Sequence, residues 1–170
     1  MTARCEAEPG FDWPRYPRVL VALDETPAAV FALGHAVPYA LDQRSQLTLL
    51  AVVPNVRFLV AAAGVSPEVM AEQMEKAAAD RLRKIAASLP QEISVTTLVR
   101  RGDPAEEILT AAREQRADVI CLGARGRGRV AGALLGSVSS AVLCRSPLPV
   151  VVWHPPREAD DATLGAASSS

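Results

Sequence analysis

Apolar and polar positions along the chain follow two rhythms that take turns. Arg18-Val-Leu-Val-Ala-Leu23 is a short β-branched run ended by Asp24 and reads as a strand. From Thr26 the spacing becomes helical, with Val30, Leu33, Val37 and Leu41 recurring and Pro27 suited to a first turn. Pro38 should bend that helix or make it irregular. Leu47–Val53 reads as a second strand, stopped by Pro54-Asn55, and an apolar loop, 56–65, follows. Pro67 then opens the longest helix, with Met70, Met74, Ala78, Ile85 and Leu89 on one side. Glu92–Val99 is a third strand. Asp103-Pro104 supplies an N-cap and an N1 proline to a helix carrying Ile108, Leu109 and Ala112. Asp118–Leu122 is a fourth strand, a glycine-rich loop leads to a helix over 137–145, and Leu148–Trp153 is a fifth strand.

This β-α-β-α-β-α-β-α-β series predicts an α/β fold, a five-stranded parallel sheet with helices on both faces. Ligands of such sheets bind beyond the carboxyl ends of the strands, where the strand order reverses. The ends of strands one and four offer Asp24 and Gly123 there.

Composition changes the picture little. A chain of 170 residues bounds one well-buried domain. Hydrophobic residues reach 49% but aromatics only 4%, so the core must be Ala, Val and Leu. Residues 1–16 read as an extended lead-in, 17–154 as the domain and 155–170 as a disordered tail. A net charge of -1 gives no global pull on nucleic acid or anionic lipid. No apolar run approaches the ~18 residues of a membrane helix, and the N-terminus lacks the apolar stretch of a signal peptide. Cys5, Cys121 and Cys144 make no CxxC pair and no disulfide framework. A cytoplasmic protein with no membrane partner is expected.

The candidate chemistry lies in Gly123-x2-Gly126, nine residues, then Gly136-Ser137. Glycines let the backbone approach a ligand, and the free N–H groups of the helix starting at Ser137 attract anions. Ser137 and Ser139 add hydroxyls. A Walker A loop is excluded, because the only lysines, Lys76 and Lys84, lie on the long helix. Gly126-Arg-Gly128-Arg-Val-Ala131 matches a dinucleotide fingerprint formally, yet it follows the fourth strand and has no acid ~20 residues on. Arg125-Gly-Arg-Gly-Arg129 resembles an RNA-binding tract but is five residues inside a folded unit, which argues against nucleic acid. A plain glycine-rich connection with solvated arginines stays open. Asp24 is either a turn and cap residue or an acceptor for an adenine amino group or ribose. His35 reads as structural or surface, and His154 has no assigned role. No catalytic triad or metal-ligand spacing is present.

These residues resemble the universal stress protein family, whose ATP-binding branch carries Gly-2x-Gly-9x-Gly-Ser/Thr, met by Gly123, Gly126, Gly136 and Ser137. Val-Ala-Leu-Asp24, Gly102-Asp-Pro-Ala-Glu-Glu-Ile108 and Ala117-Asp-Val-Ile-Cys-Leu-Gly123 look similar to family segments too, over Val19 to Trp153. The resemblance implies the adenine nucleotide α-hydrolase-like, flavodoxin-like three-layer sandwich. It implies that Ala22, Leu23 and Asp24 face adenosine and that Val52 meets adenine by its backbone. Leu122, Gly123, Arg125, Gly126 and Arg127 would line ribose and phosphates. Gly136, Ser137, Val138 and Ser139 would hold the phosphates of ATP, with Mg²⁺ bridging phosphate oxygens near Asp24. It also implies a homodimer along the last strand, Val150, Val151, Val152 and Trp153. Ala51 stands where many members have His, and Ala124 where Ser or Thr is common. The expected role is a nucleotide-dependent stress regulator with little or slow hydrolysis. A slow ATPase and a nucleotide-free dimeric scaffold remain the alternatives.

Overall fold

Strands buried on both faces have no polar side to show, and the chain's runs of Val, Leu and Ile follow from that. The computed structural model describes residues 15–55, 66–124 and 135–155. Its strands are β1 (Arg18–Ala22), β2 (Gln46–Val53), β3 (Val95–Arg101), β4 (Val119–Gly123) and β5 (Val150–Trp153). Its helices are α1 (Pro27–Gln43), α2 (Pro67–Ser88), α3 (Pro104–Glu114) and α4 (Ser137–Arg145). The sheet is parallel, in the order β3-β2-β1-β4-β5, with Val19 beside both Leu47 and Val119. The layers are those of a flavodoxin-like sandwich. The strand order begins 3-2-1-4-5, as in the dinucleotide folds, where flavodoxin has 2-1-3-4-5. Order reverses between β1 and β4, so a crevice opens above their carboxyl ends.

Two cores flank the sheet. Val19, Val21, Leu47 and Leu49 meet α1 and α2 through Ala29, Leu33, Ala36, Ala78 and Leu82. Leu20, Leu50, Ile120 and Leu122 meet α3 and α4 through Ala105, Ile108, Ala111 and Val142. Small helix residues let the backbones sit close to the sheet, and close packing keeps them there. At the amino ends of the strands, Arg18 grips Asp118 at 2.9 Å and holds its carboxyl below the usual carboxylate range.

Several elements depart from the sequence pattern. The face that α1 buries is Ala28, Ala29, Ala32, Leu33, Ala36 and Ala40, whereas Val30 and Leu41 stand 64% and 40% exposed. The alanines win because the sheet approaches too closely for larger side chains. Pro38 does not interrupt α1: it sits on the solvent side, so the carbonyl of Gly34, left without its helical donor, faces water. β3 runs to Arg101 and starts only at Val95. As an edge strand it tolerates Arg100 and Arg101, which pair with Glu114 and Glu75. β5 starts at Val150, two residues later than the pattern. His35 is exposed on α1, its ring edge-on to Phe31 (4.5 Å) and stacked on Trp153 (4.0 Å).

Cys121 is buried in β4, and burial pushes its thiol up to about 12, while Cys144 is exposed. Since the thiolate is the reactive form, an aromatic disulfide reagent at pH 8 should label Cys144 and spare Cys121. Labelling of Cys121 in the folded protein, read by peptide mass, would show that β4 opens. The apolar loop 56–65 and the segment 1–14 lie outside the described residues. No described helix is long and apolar enough to cross a membrane.

Candidate functional site

Each helix begins at the carboxyl end of the sheet, so helix N-termini collect around the crevice. α1 and α3 are capped by side chains. Thr26 accepts from the Ala29 N–H, and Asp103 accepts from the Glu106 N–H. α4 is different. Its N-cap is Gly136, which has no side chain to offer. The helix's own ladder begins with the Ser140 N–H donating to the Gly136 carbonyl. The amides of Ser137, Val138 and Ser139 precede that bond and point out of the helix end.

The two ends of the glycine-rich segment are tied at its base. The Gly136 N–H donates to the Ala124 carbonyl at 2.6 Å, and the Ala124 N–H donates to the Trp153 carbonyl at 2.8 Å. Ser139 is buried, and its hydroxyl donates to the Gly123 carbonyl at 2.8 Å. Thus Gly136 spends its N–H, and Ser139 its hydroxyl proton, on holding α4 against the end of β4. Of the two hydroxyls expected to reach a phosphate, the exposed one is that of Ser137.

Gly123 is glycine for a packing reason. A Cβ there would lie 2.5 Å from the Ala28 carbonyl carbon and 2.7 Å from both the Ala28 oxygen and the Ala29 nitrogen. The first turn of α1 therefore rides directly on the end of β4.

A cavity of about 650 Å³ fills the crevice, within the roughly 300–1,000 Å³ of small-molecule sites. Ala22, Leu23, Asp24, Val52, Leu122, Gly123, Gly136, Ser137, Val138 and Ser139 all line it. Arg125, Gly126 and Arg127, expected beside them, lie outside the described residues. Asp24 forms the turn that one of its readings expected. Its Oδ1 accepts from the Thr26 N–H at 3.0 Å and the Thr26 hydroxyl at 2.5 Å, a tight turn, and the residue still faces the cavity. Ala51, a buried residue, and Pro54 continue the lining along β2.

Further residues enter the wall that the sequence pattern had placed elsewhere or passed over. Met74, Ala77, Ala78 and Arg81 come from α2, and Pro104 and Ile108 from α3. Met74 and Ala78 had been placed on a packing face of α2. The presence of Arg81 on that same stripe, spaced seven from Met74, was the available signal. Among the described residues no group of three or more His, Cys, Asp or Glu could hold a metal ion. The cavity therefore combines an apolar floor, the carboxylates of Asp24 and Glu25 just beyond β1, the guanidinium of Arg81 and an open helix N-terminus. That set suits an anionic ligand with a flat apolar part.

Comparison with known proteins agrees with this fold. A family model described as the universal stress protein family matches residues 15–154. The universal stress protein MJ0531 of Methanocaldococcus jannaschii is 26% identical over 145 residues, covering 84% of this chain and 85% of that protein. The solved structure of MJ0577, from the same organism, superposes with a TM-score of 0.74 at 24% identity, over 84% of this chain and 99% of that one. A universal stress protein solved in complex with cAMP has a TM-score of 0.55 at 23% identity, over 83% and 98%. At those identities the two structures speak for the fold. The family match across residues 15–154 is decisive: this chain belongs to the universal stress protein family.

Proposed function

We propose that the crevice binds ATP with Mg²⁺ and that the protein is a cytoplasmic, nucleotide-dependent regulator of a stress response, with little or slow hydrolysis. One observation carries the reading. The uncapped N-terminus of α4 opens onto a cavity of nucleotide size, across the sheet's reversal point from Asp24. The amides of Ser137, Val138 and Ser139 and the Ser137 hydroxyl would receive phosphate oxygens, where the helix dipole favours negative charge. Adenine would lie over Ala51 and Val52, and Asp24 would accept from ribose or adenine. Gly123 and Leu122 would form the floor between them. Arg125, Gly126 and Arg127 would close the phosphates from the glycine-rich segment. A divalent ion bound through phosphates needs few protein ligands, and the carboxylate of Asp24 suits that.

The adenine-nucleotide class draws support from the family, one member of which has been solved with cAMP. The reading of little or slow hydrolysis is supported by the engagement of the lining carboxylates, since Thr26 donates to Asp24 and Arg81 to Glu25. Two copies would meet along β5, whose outer edge has no strand beside it among the described residues. Val150, Val151, Val152 and Trp153 are each half-buried there. Mass spectrometry of small molecules retained by the purified protein, with phosphate release followed on added ATP–Mg²⁺, tests the reading. Retained adenine nucleotide with turnover slower than once per second is expected. Several turnovers per second would make it an ATPase instead, and no retention or binding would leave the dimeric scaffold.

A further inference from the structure

The α2 wall holds a charge that the family resemblance did not bring forward. Arg81 is the one basic side chain lining the cavity among the described residues, and it stands among Met74, Ala77 and Ala78 on a single stripe of α2. Its Nη1 donates to Glu25 Oε1 at 2.6 Å, and Glu25 directly follows Asp24 in the same lining. Its Nε is buried on the protein side. The Glu25 pair fixes the guanidinium across the gap between the β1–α1 turn and α2. A planar cation is thereby held beside the cavity, where it can lie against a flat ligand.

The position decides which part of the ligand is met. α4, with its open amides, packs on the sheet face of Leu50 and Leu122, whereas α2 packs on the opposite face with Val21 and Leu49. A ligand with its phosphates on α4 that crosses the carboxyl ends of the strands brings its other end to Arg81. We infer that Arg81 is a base-recognising residue of this site, its guanidinium lying against the purine and held there by Glu25 as the positioning residue. The inference rests on the nucleotide reading given above. A guanidinium in that place offers a π-stacking plane to the face of the purine, and it contributes nothing to phosphate binding.

Titrations of ATP, AMP and adenosine into the wild type, Arg81→Gln and Glu25→Gln, followed by calorimetry, test the inference. Arg81→Gln should weaken all three ligands by the same factor, on the order of tenfold, with Tm close to the wild type. Arg81→Lys should restore little, because an ammonium has no plane to stack. Glu25→Gln should weaken the three ligands equally but less. A loss for ATP alone would put Arg81 on the phosphates and overturn the inference, as would unchanged affinities for all three. If the wild type binds none of them, the nucleotide reading itself fails and takes the inference with it.

Discussion

Gly123→Ala is expected to destabilise the fold by about 3 kcal/mol or more, the upper range of overpacking effects. The added Cβ would meet the Ala28 carbonyl group and the Ala29 amide nitrogen at 2.5–2.7 Å. Those are backbone atoms, so no side chain can rotate to make room. α1 would have to lift from the end of β4, and it carries much of the core on that face through Ala29, Leu33 and Ala36. For a domain of this size about 3 kcal/mol corresponds to a fall in Tm of roughly 6–12 °C. Gly34→Ala is the control. Gly34 lies in the same helix with nothing within 4 Å of its added Cβ, so alanine should be neutral or stabilise by about 0.5–1 kcal/mol. Thermal melts of the two variants separate a packing role for Gly123 from general tolerance in α1. Equal melting temperatures would refute the close approach of α1 to β4.

Ser137→Glu is expected to abolish most nucleotide binding while leaving the fold intact. Ser137 is exposed in the first turn of α4, where a carboxylate interacts favourably with the helix dipole by roughly 0.3–1 kcal/mol. Stability should therefore hold or rise slightly. The same carboxylate would occupy the ground that phosphates need and repel them. A loss on the order of 100-fold in ATP affinity, about 2.7 kcal/mol, is expected. Affinity for adenosine, which carries no phosphate, should fall far less. Melting curves taken beside the titrations make the two effects separable, because a misfolded variant would lose both ligands and the transition together.

The elements were legible in the sequence where one physical cause dominated. Asp103-Pro104 marked a helix start through capping and proline geometry, and that cap forms; Pro27 marked another by proline geometry alone, where Thr26 adds a cap that the pattern had not singled out. Continuous apolar runs marked strands covered on both sides. Where two causes competed, the pattern misled. Hydrophobicity chose Val30 and Leu41 for the core face of α1, but the narrow gap to the sheet selected the alanine stripe instead. Edge position, which no local pattern reveals, extended β3 through Arg100 and Arg101.

The site divided in the same manner. Gly123, Gly136 and Ser137 stood out by the spacing of their glycines between an apolar run and a helix start, and Asp24 by ending the first strand. The contributions of Met74, Ala77 and Arg81 come from a helix that crosses the crevice as a wall, and Pro104 and Ile108 from the start of α3. Those positions look like ordinary helix residues until the topology brings them together. Ser139 shows a further limit. Its hydroxyl fitted a phosphate donor by spacing alone, yet the closeness of α4 to β4 gives its proton to the Gly123 carbonyl.

The central claim is that phosphates sit on the open N-terminus of α4. Calorimetric titration of ATP–Mg²⁺, ADP–Mg²⁺, AMP and adenosine into the wild type and Ser137→Glu tests it most directly. Affinity should rise with each added phosphate in the wild type, and that gain should vanish in the variant. Equal affinities for ATP and adenosine in the wild type, or a phosphate gain that survives Ser137→Glu, would contradict the account.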